Sequence, residues 1–358
     1  MTAGPDISVI IPVYNRGNVI RYTLESVRRA SAGFAVETIV VDDGSTPPAA
    51  EALAGLGFVP TRLIRQANQG LLYARLAGLA RATGRYTLFL DSDDLVGPDK
   101  FRAQLAAMET AQADVSYSDQ ARCVLSGDYD RLSIAADAPL RATAEAADFY
   151  LNIQPAPHNP VFRTSYLRDL TARAFFPPSP LFNPVAEIWF YHNAAPRPGR
   201  VVHVPGAHTI VGSHLGARLT NHWERLAVAS LAVIEAFARA VPVGPETATA
   251  RRIAGEVAFR AWRRLPRGFS PEFAERELAI WRQLAPGNSP ALGGGLFQKF
   301  SRMIGPERAG RLFRRLQNGS YASCRTLPDE EVARLLAQLP KAEVSDPNVA
   351  RASSPCRG

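Results

Sequence analysis

The chain has 358 residues, 46% of them hydrophobic, and carries a net charge of +8. That length exceeds one ordinary hydrophobic core, so a large domain with an appended piece is expected. No apolar run approaches the roughly 18 residues needed to span a bilayer. Residues Met1 to Asp6 lack the basic start and apolar core of a signal peptide, so a cytosolic protein is expected. Cys123, Cys324 and Cys356 are scattered. Their odd number and irregular spacing argue against zinc or a disulfide framework. The positive charge suits anionic lipid, phosphorylated substrates or nucleic acid without choosing among them.

The first third alternates strand and helix. Ile7 to Val13 reads as an apolar strand, and Asn18 to Arg29 as a helix with Ile20, Leu24 and Val27 on one face. Glu37 to Val41 is a second strand, Pro48 to Leu56 a helix and Arg62 to Arg65 a short third strand. Leu71 to Ala82 is helical, Tyr86 to Leu90 is a fourth strand, and Pro98 to Thr110 is the next helix. This alternation predicts an α/β fold, a doubly wound and mostly parallel sheet with helices on both faces. From Val115 to Val211 the pattern is irregular and rich in proline, as at Pro155, Pro157, Pro160, Pro177, Pro178, Pro180 and Pro184. Such a segment is expected to wrap over the sheet's rim rather than enter it. Helical text follows at Trp223 to Val241, Ala248 to Arg264, Pro271 to Leu284 and Asp329 to Leu339. It predicts a C-terminal helical appendage over residues 220–340. The polar tail, 341–358, is expected to be disordered.

Polar clusters fall at the carboxyl ends of three strands, where ligands of such sheets bind. Pro12, Tyr14 and Asn15 follow the first strand, and Asp42, Asp43, Gly44 and Ser45 the second. Leu88-Phe89-Leu90 runs directly into Asp91-Ser92-Asp93-Asp94. Acids gathered at one strand tip repel each other unless a cation sits among them. A hard divalent ion that also holds substrate phosphates is the usual remedy.

With these residues in place, the chain resembles the GT-A fold glycosyltransferases of family 2. The resemblance rests on Ser8 to Asn15, Ile39 to Ser45, Asn68-Gln69-Gly70 with Ala74-Arg75, and Leu90 to Asp94 before Pro98-Asp99-Lys100. It implies an inverting enzyme that moves a sugar from a nucleotide-sugar donor, a UDP-sugar first, to a glycan or lipid-linked hydroxyl. Tyr14 would stack on the nucleobase, with Pro12, Asn15 and Ser92 nearby. Asp43, or Asp42 in its place, would accept from the base. Asp91 and Asp93 match the D-x-D motif that serves the donor and a Mn²⁺ or Mg²⁺ ion, which stabilises the leaving diphosphate. Arg75 matches a donor-side arginine, though a snorkelling surface arginine has the same text. Asp94 reads equally as a helix cap. The resemblance places 1–114 as the nucleotide-binding half and 115–219 as the acceptor-side half of one domain.

The chain departs from the family at one position. An inverting transfer needs a general base for the acceptor hydroxyl. The family's aspartate in Glu-Asp before Trp is replaced here, in Glu187-Ile188-Trp189, by an isoleucine. Either Glu187 takes the role, or the chain is a degenerate nucleotide-sugar-binding subunit. Glu187 has a structural alternative too, since Asn183 and Pro184 suit a helix start just before it. His214, in Gly212-Ser213-His214, resembles a late histidine that reaches the metal or diphosphate, and is equally at home in a surface loop. His158 and Arg163 resemble an acceptor-side segment.

Finally, Phe297 to Leu316 carries Lys299, Arg302, Arg308, Arg311, Arg314 and Arg315 against Glu307 alone, interleaved with apolar residues. A basic amphipathic segment suits peripheral contact with an anionic membrane face, or simply a solvated helix face. No recognition motif for nucleic acid accompanies it.

Overall fold

The computed structural model describes residues 4–214 and 221–340. The predicted disorder of 341–358 lies outside them. A nine-stranded mixed sheet forms the centre. Its first strands are β1 (Ile7–Val13), β2 (Val36–Asp42), β3 (Arg62–Arg65) and β4 (Tyr86–Phe89). These four pair in parallel in the order β3-β2-β1-β4, as the alternation predicts. Helices α1 (Ile20–Ala30), α2 (Ala49–Gly55), α3 (Leu71–Arg81) and α4 (Lys100–Ala111) connect them or follow them.

The middle segment corrects the expectation of a wrapping rim. β5 (Leu95–Val96), β6 (Val115–Val124), β7 (Ile134–Ala136), β8 (Val161–Arg163) and β9 (Val201–Ser213) all enter the sheet. β6 and β9 run parallel and are the longest strands, while β8 lies antiparallel between β4 and β6. The prolines singled out in the sequence fall between strands, in turns and in a 3₁₀ segment at Pro180–Val185. Pro205 does lie within β9, and the pairing skips there: Ser118 meets Val204, then Gln120 meets Thr209. The proline therefore sits in a bulge that asks for no ladder donor. β6 was hard to see because Ser116, Ser118, Asp119 and Gln120 break its apolar run.

Side chains alternate across the sheet, as the two-residue strand period demands. Ile7, Val9 and Ile11 face a core completed by Ile20, Leu24, Val27, Phe101 and Leu105. Ile10, Ile39 and Val41 face the other core, with Leu72 and Leu79 of α3. That second core continues without a break into the C-terminal helices. Between the halves lie α5 (Ala146–Asp148), α6 (Thr164–Ala172) and α7 (Ala186–Ala194). Then come α8 (Trp223–Ala240), α9 (Pro245–Arg264), α10 (Pro271–Leu284), α11 (Gly295–Ile304), α12 (Pro306–Gln317), α13 (Tyr321–Cys324) and α14 (Asp329–Ala337). The basic stretch read as one segment is thus two helices. Gly305 breaks it at φ +84°, a left-handed conformation glycine takes without strain, and Pro306 starts the next helix. Among the described residues, no helix is long and apolar enough to cross a membrane.

Candidate functional site at the carboxyl rim

Because β1, β2 and β4 are parallel, their carboxyl ends deliver three loops to one rim. Tyr14 stands there half exposed at 51%, its ring open to a ligand. Asn15 takes φ 52°, which asparagine tolerates better than most residues. Its side chain accepts from Thr46 N–H at 2.8 Å, and its own N–H donates to Ser45 Oγ at 3.1 Å, so the first two loops are tied together. Pro12 is the penultimate residue of β1, paired with Val41.

Asp42 and Asp43 are both buried. Asp42 accepts from Ser45 N–H at 2.8 Å, from Ala49 N–H at 3.0 Å and from Arg65 Nη1 at 2.9 Å. It therefore anchors the start of α2. Asp43 turns the other way. It accepts from Gln66 Nε2 at 2.8 Å and from the N–H groups of Gln69 at 2.9 Å and Gly70 at 2.8 Å. Each carboxylate has about four lone-pair sites, so one more donor can be accepted. Gly70 is needed where it stands: φ is +94°, and a Cβ would come within 2.1 Å of Asn183.

Asn183 corrects its predicted role. It does not cap α7, which begins at Ala186 after the 3₁₀ segment. Its Oδ1 accepts from Leu72 N–H at 3.0 Å, and its Nδ2 donates to Gln69 O at 2.9 Å. It thus caps α3 from a distance of 111 residues in sequence. Glu187 still lies in the first turn of α7, where the positive helix end favours a carboxylate.

The acidic tip of β4 divides its side chains between two sides. Asp91 Oδ1 accepts from Arg75 Nη2 at 2.7 Å. Arg75 is fully buried on α3, and its Nη1 lies 3.6 Å from Glu187 Oε2. Burial alone would lower its pKa, but the two carboxylates outweigh it and raise it. Arg75 is therefore a buried charged bridge rather than the snorkelling residue the text also allowed. Its Nε and Nη1 make no hydrogen bond, and a small cavity beside them is lined by Phe89, Glu187, Phe190 and Tyr191. Glu187 keeps 28% of its side chain exposed. Removal from water pushes its carboxyl above the usual carboxylate range, an effect Arg75 only partly reverses. Ile188, its neighbour, packs against the main core.

On the other side, Asp93 Oδ2 lies 2.9 Å from His214 Nε2 and 3.9 Å from Arg16 Nη2. Arg16 was not singled out in the sequence, although it directly follows Tyr14 and Asn15. Ser92 is buried within the same turn, which closes through Asp94 N–H to Asp91 O at 3.1 Å. Among the described residues, no three His, Cys, Asp or Glu side chains gather as a ready metal centre. A divalent ion that takes most of its ligands from phosphate and water needs only one or two from the protein. Asp93 and His214, an oxygen and a nitrogen donor already side by side, fit that requirement.

Three expectations fail here. Asp94 does not cap α4: its Oδ1 accepts from Gly212 N–H at 2.8 Å, which ties the acidic turn to β9. His158 does not line the open rim. It is fully buried, with Nδ1 2.9 Å from Asp94 Oδ2, off the line of a hydrogen bond, and Nε2 3.2 Å from Ile210 O. Arg163 is on the wrong rim. It pairs with Tyr86 at the start of β4, so the length of that strand separates it from Asp91.

Residues 8–171 match the glycosyl transferase family 2 model. The chain is similar to an uncharacterised glycosyltransferase, YibD, of Escherichia coli, with 34% identity over 34% of this chain and 36% of the relative. It is similar to the succinoglycan biosynthesis protein ExoO of Rhizobium meliloti, with 35% identity over 31% of this chain and 32% of the relative. The chain spans only about a third of the length of each of these two. In overall shape it is similar to S. aureus TarS 1–349, solved with UDP-GlcNAc, at a TM-score of 0.60 and 17% identity over 90% of this chain and 93% of that one. TarS 1–349 solved with UDP matches equally well, at 0.60 and 18% identity over 90% and 94% of the two chains. Identity that low carries the fold alone. Taken with the geometry of the rim, these matches place residues 8–171 in glycosyl transferase family 2, on a GT-A fold.

Proposed function

We propose that this chain is an inverting, metal-dependent glycosyltransferase that moves a sugar from a UDP-sugar to a hydroxyl of a glycan or lipid-linked acceptor. The observation that carries the reading is the divided acidic tip. Asp91 engages Arg75, which also faces Glu187, on one side, while Asp93 engages His214 and Arg16 on the other. A diphosphate lying across that tip meets cations on both flanks. Tyr14 offers a face to the nucleobase, and Asp43, with Asp42 behind it, shapes the loop that the base would meet. Ser92 and Asn15 hold the adjacent turns. Asp93 and His214, with Asp91 close by, would hold a Mn²⁺ or Mg²⁺ ion, and a bound ion would neutralise diphosphate charge as the glycosidic bond breaks. The UDP-GlcNAc complex of TarS and the name of ExoO support a nucleotide sugar and a polysaccharide or glycoconjugate product.

In this reading 1–114 binds the nucleotide, 115–219 faces the acceptor and 220–340 is the helical region. Glu187 is the base. A base works best with a pKa close to the operating pH, and its upward shift moves it that way. A lipid-linked acceptor would require the chain to work at the inner face of a membrane, as a peripheral cytoplasmic protein.

The second reading, a binding subunit without turnover, is favoured by Ile188 alone. Release of UDP over a panel of UDP-sugars and acceptors separates the two. Turnover with Mn²⁺ that disappears in Asp93→Ala supports the enzyme. UDP binding by calorimetry with no turnover on any acceptor supports the subunit. Turnover unchanged in Asp93→Ala would reject the assignment of the acidic tip.

A further inference from the structure

The two helices α11 and α12 pack Phe297, Ala309 and Phe313 into the main core and leave an apolar stripe uncovered on their outer side. On α11, Leu296, Phe300, Met303 and Ile304 recur at helical spacing on one side. Leu296 is 62% exposed and Met303 80%, while Phe297 and Ser301 turn inward. On α12, Leu316 is 74% exposed, and Ala309, Gly310 and Phe313 are buried. The rings of Phe297 and Phe300 both lie within 6 Å of Phe313, at 5.6 and 5.8 Å, so the helices form a hairpin.

Cations border this stripe. Among the described residues, no ion pair engages Lys299, Arg302, Arg308 or Arg315. Glu307, the one acid of the hairpin, is already taken by Arg282 and Arg311. Where α9 ends, beside the start of α11 and the end of α12, lies a cavity of about 210 Å³. Arg260, Arg263 and Arg264 line it, no carboxylate does, and no ion pair among the described residues engages any of the three. Arg263 Nε is buried without a hydrogen bond. Its guanidinium stacks 3.9 Å from the centre of the Phe297 ring, which fixes it between cavity and hairpin.

Exposed leucine, phenylalanine and methionine beside unpaired lysine and arginine are the two halves of an interfacial membrane contact. A cavity of arginines at the same edge suits a phosphodiester. We propose that the α11–α12 hairpin docks on a bilayer containing anionic phospholipid, with the stripe entering the headgroup–acyl boundary and the arginine cavity receiving a lipid phosphate. The inference stands apart from the transfer chemistry, since none of these residues lies on the carboxyl rim.

Cosedimentation of the full chain with phosphatidylglycerol–phosphatidylcholine vesicles tests it, with pure phosphatidylcholine vesicles as the second arm. Binding is expected only to the anionic vesicles. Phe300→Glu with Met303→Glu should abolish it, and Arg302→Gln with Arg308→Gln should weaken it by about thirtyfold. Met303, Arg302 and Arg308 are exposed, Phe300 is 36% exposed beside Phe313, and circular dichroism checks that each variant keeps its fold. UDP affinity by calorimetry should be unchanged in every variant, which separates failure here from failure of the donor site. No sedimentation with anionic vesicles at low salt would overturn the proposal. So would equal sedimentation of the Phe300→Glu, Met303→Glu variant, which would show that the hairpin is not the contact, or retention by single-stranded DNA in place of vesicles.

Discussion

Glu187 and Ile188 are neighbours in α7, and only the first can take a proton. Neighbouring helix residues point about 100° apart, so Glu187 reaches the rim from a different direction than residue 188 would. The structure gives that direction a physical consequence. Glu187 faces Arg75, and through it Asp91, so the proposed base and the donor-side acid share one buried cation. Glu187→Gln should therefore remove turnover while sparing UDP affinity, read by UDP release and calorimetry on the same preparation. Retained turnover would take Glu187 out of the role. The pH profile gives a second measure. A base acts unprotonated, and burial raises the Glu187 pKa. Activity should thus fall as pH drops through a value above the ordinary carboxylate range, and an acid limb at or below that range would contradict the assignment.

At the scale of elements, the helices depend on side chains supplied from far away. Asn183 caps α3 in place of any local residue, since Gly70 at its start has no side chain to offer. Asn183→Ala should cost about 1 kcal/mol, read as a lower urea midpoint with unchanged slope. No change in midpoint would mean that water satisfies Leu72 N–H. Glu277 on α10 behaves differently. Burial pushes its carboxyl up to about 8, Arg314 notwithstanding, and its Oε2 has no hydrogen bond. The folded chain therefore holds a proton there that the unfolded chain, at 4.5, has released. Its cost to stability is absent below the unfolded value, grows as pH rises between the two, and is complete above about 8. Glu277→Gln should be stabilised relative to the parent at pH 8 but not at pH 4. Parallel stability curves for the two would show that Glu277 ionises freely.

These same elements show what a sequence discloses. Tyr14, Asp43 and Asp91 were legible because each follows an apolar strand, and parallel strands bring their ends to one rim. The C-terminal helices were legible from their period. The cap from Asn183, the anchoring of α2 by Asp42 and the burial of His158 between Asp94 and Ile210 were not. Each joins segments whose contact depends on the finished sheet, and the same polar residue types serve turns anywhere. β6 and β9 were missed for a related reason. Their polar side chains pair with each other inside the sheet, as Ser118 Oγ of β6 does with Thr209 Oγ1 of β9 at 3.1 Å, so the usual apolar run is absent.

At the scale of the molecule, the decisive feature is that one core crosses from sheet to helices. Ile10 and Leu79 belong to the same continuous cluster as Phe237, Phe259 and Trp281. A glycosyltransferase sheet with an independently folded attachment would show two cores and two unfolding events. Here the face of the sheet that carries α3, and with it Arg75, is covered by α7 and, beyond it, by α8 to α10. Damage deep in the helices should reach the donor site. Trp281→Ala removes a buried ring that packs 4.8 Å from Phe259, a loss of about 3–5 kcal/mol. Thermal unfolding followed by circular dichroism at a helical wavelength and by loss of UDP binding should shift downward together, in one transition. If UDP binding outlasts the helical signal in that variant, the sheet stands without its helices, and the shared core is a contact between two bodies rather than one cooperative unit.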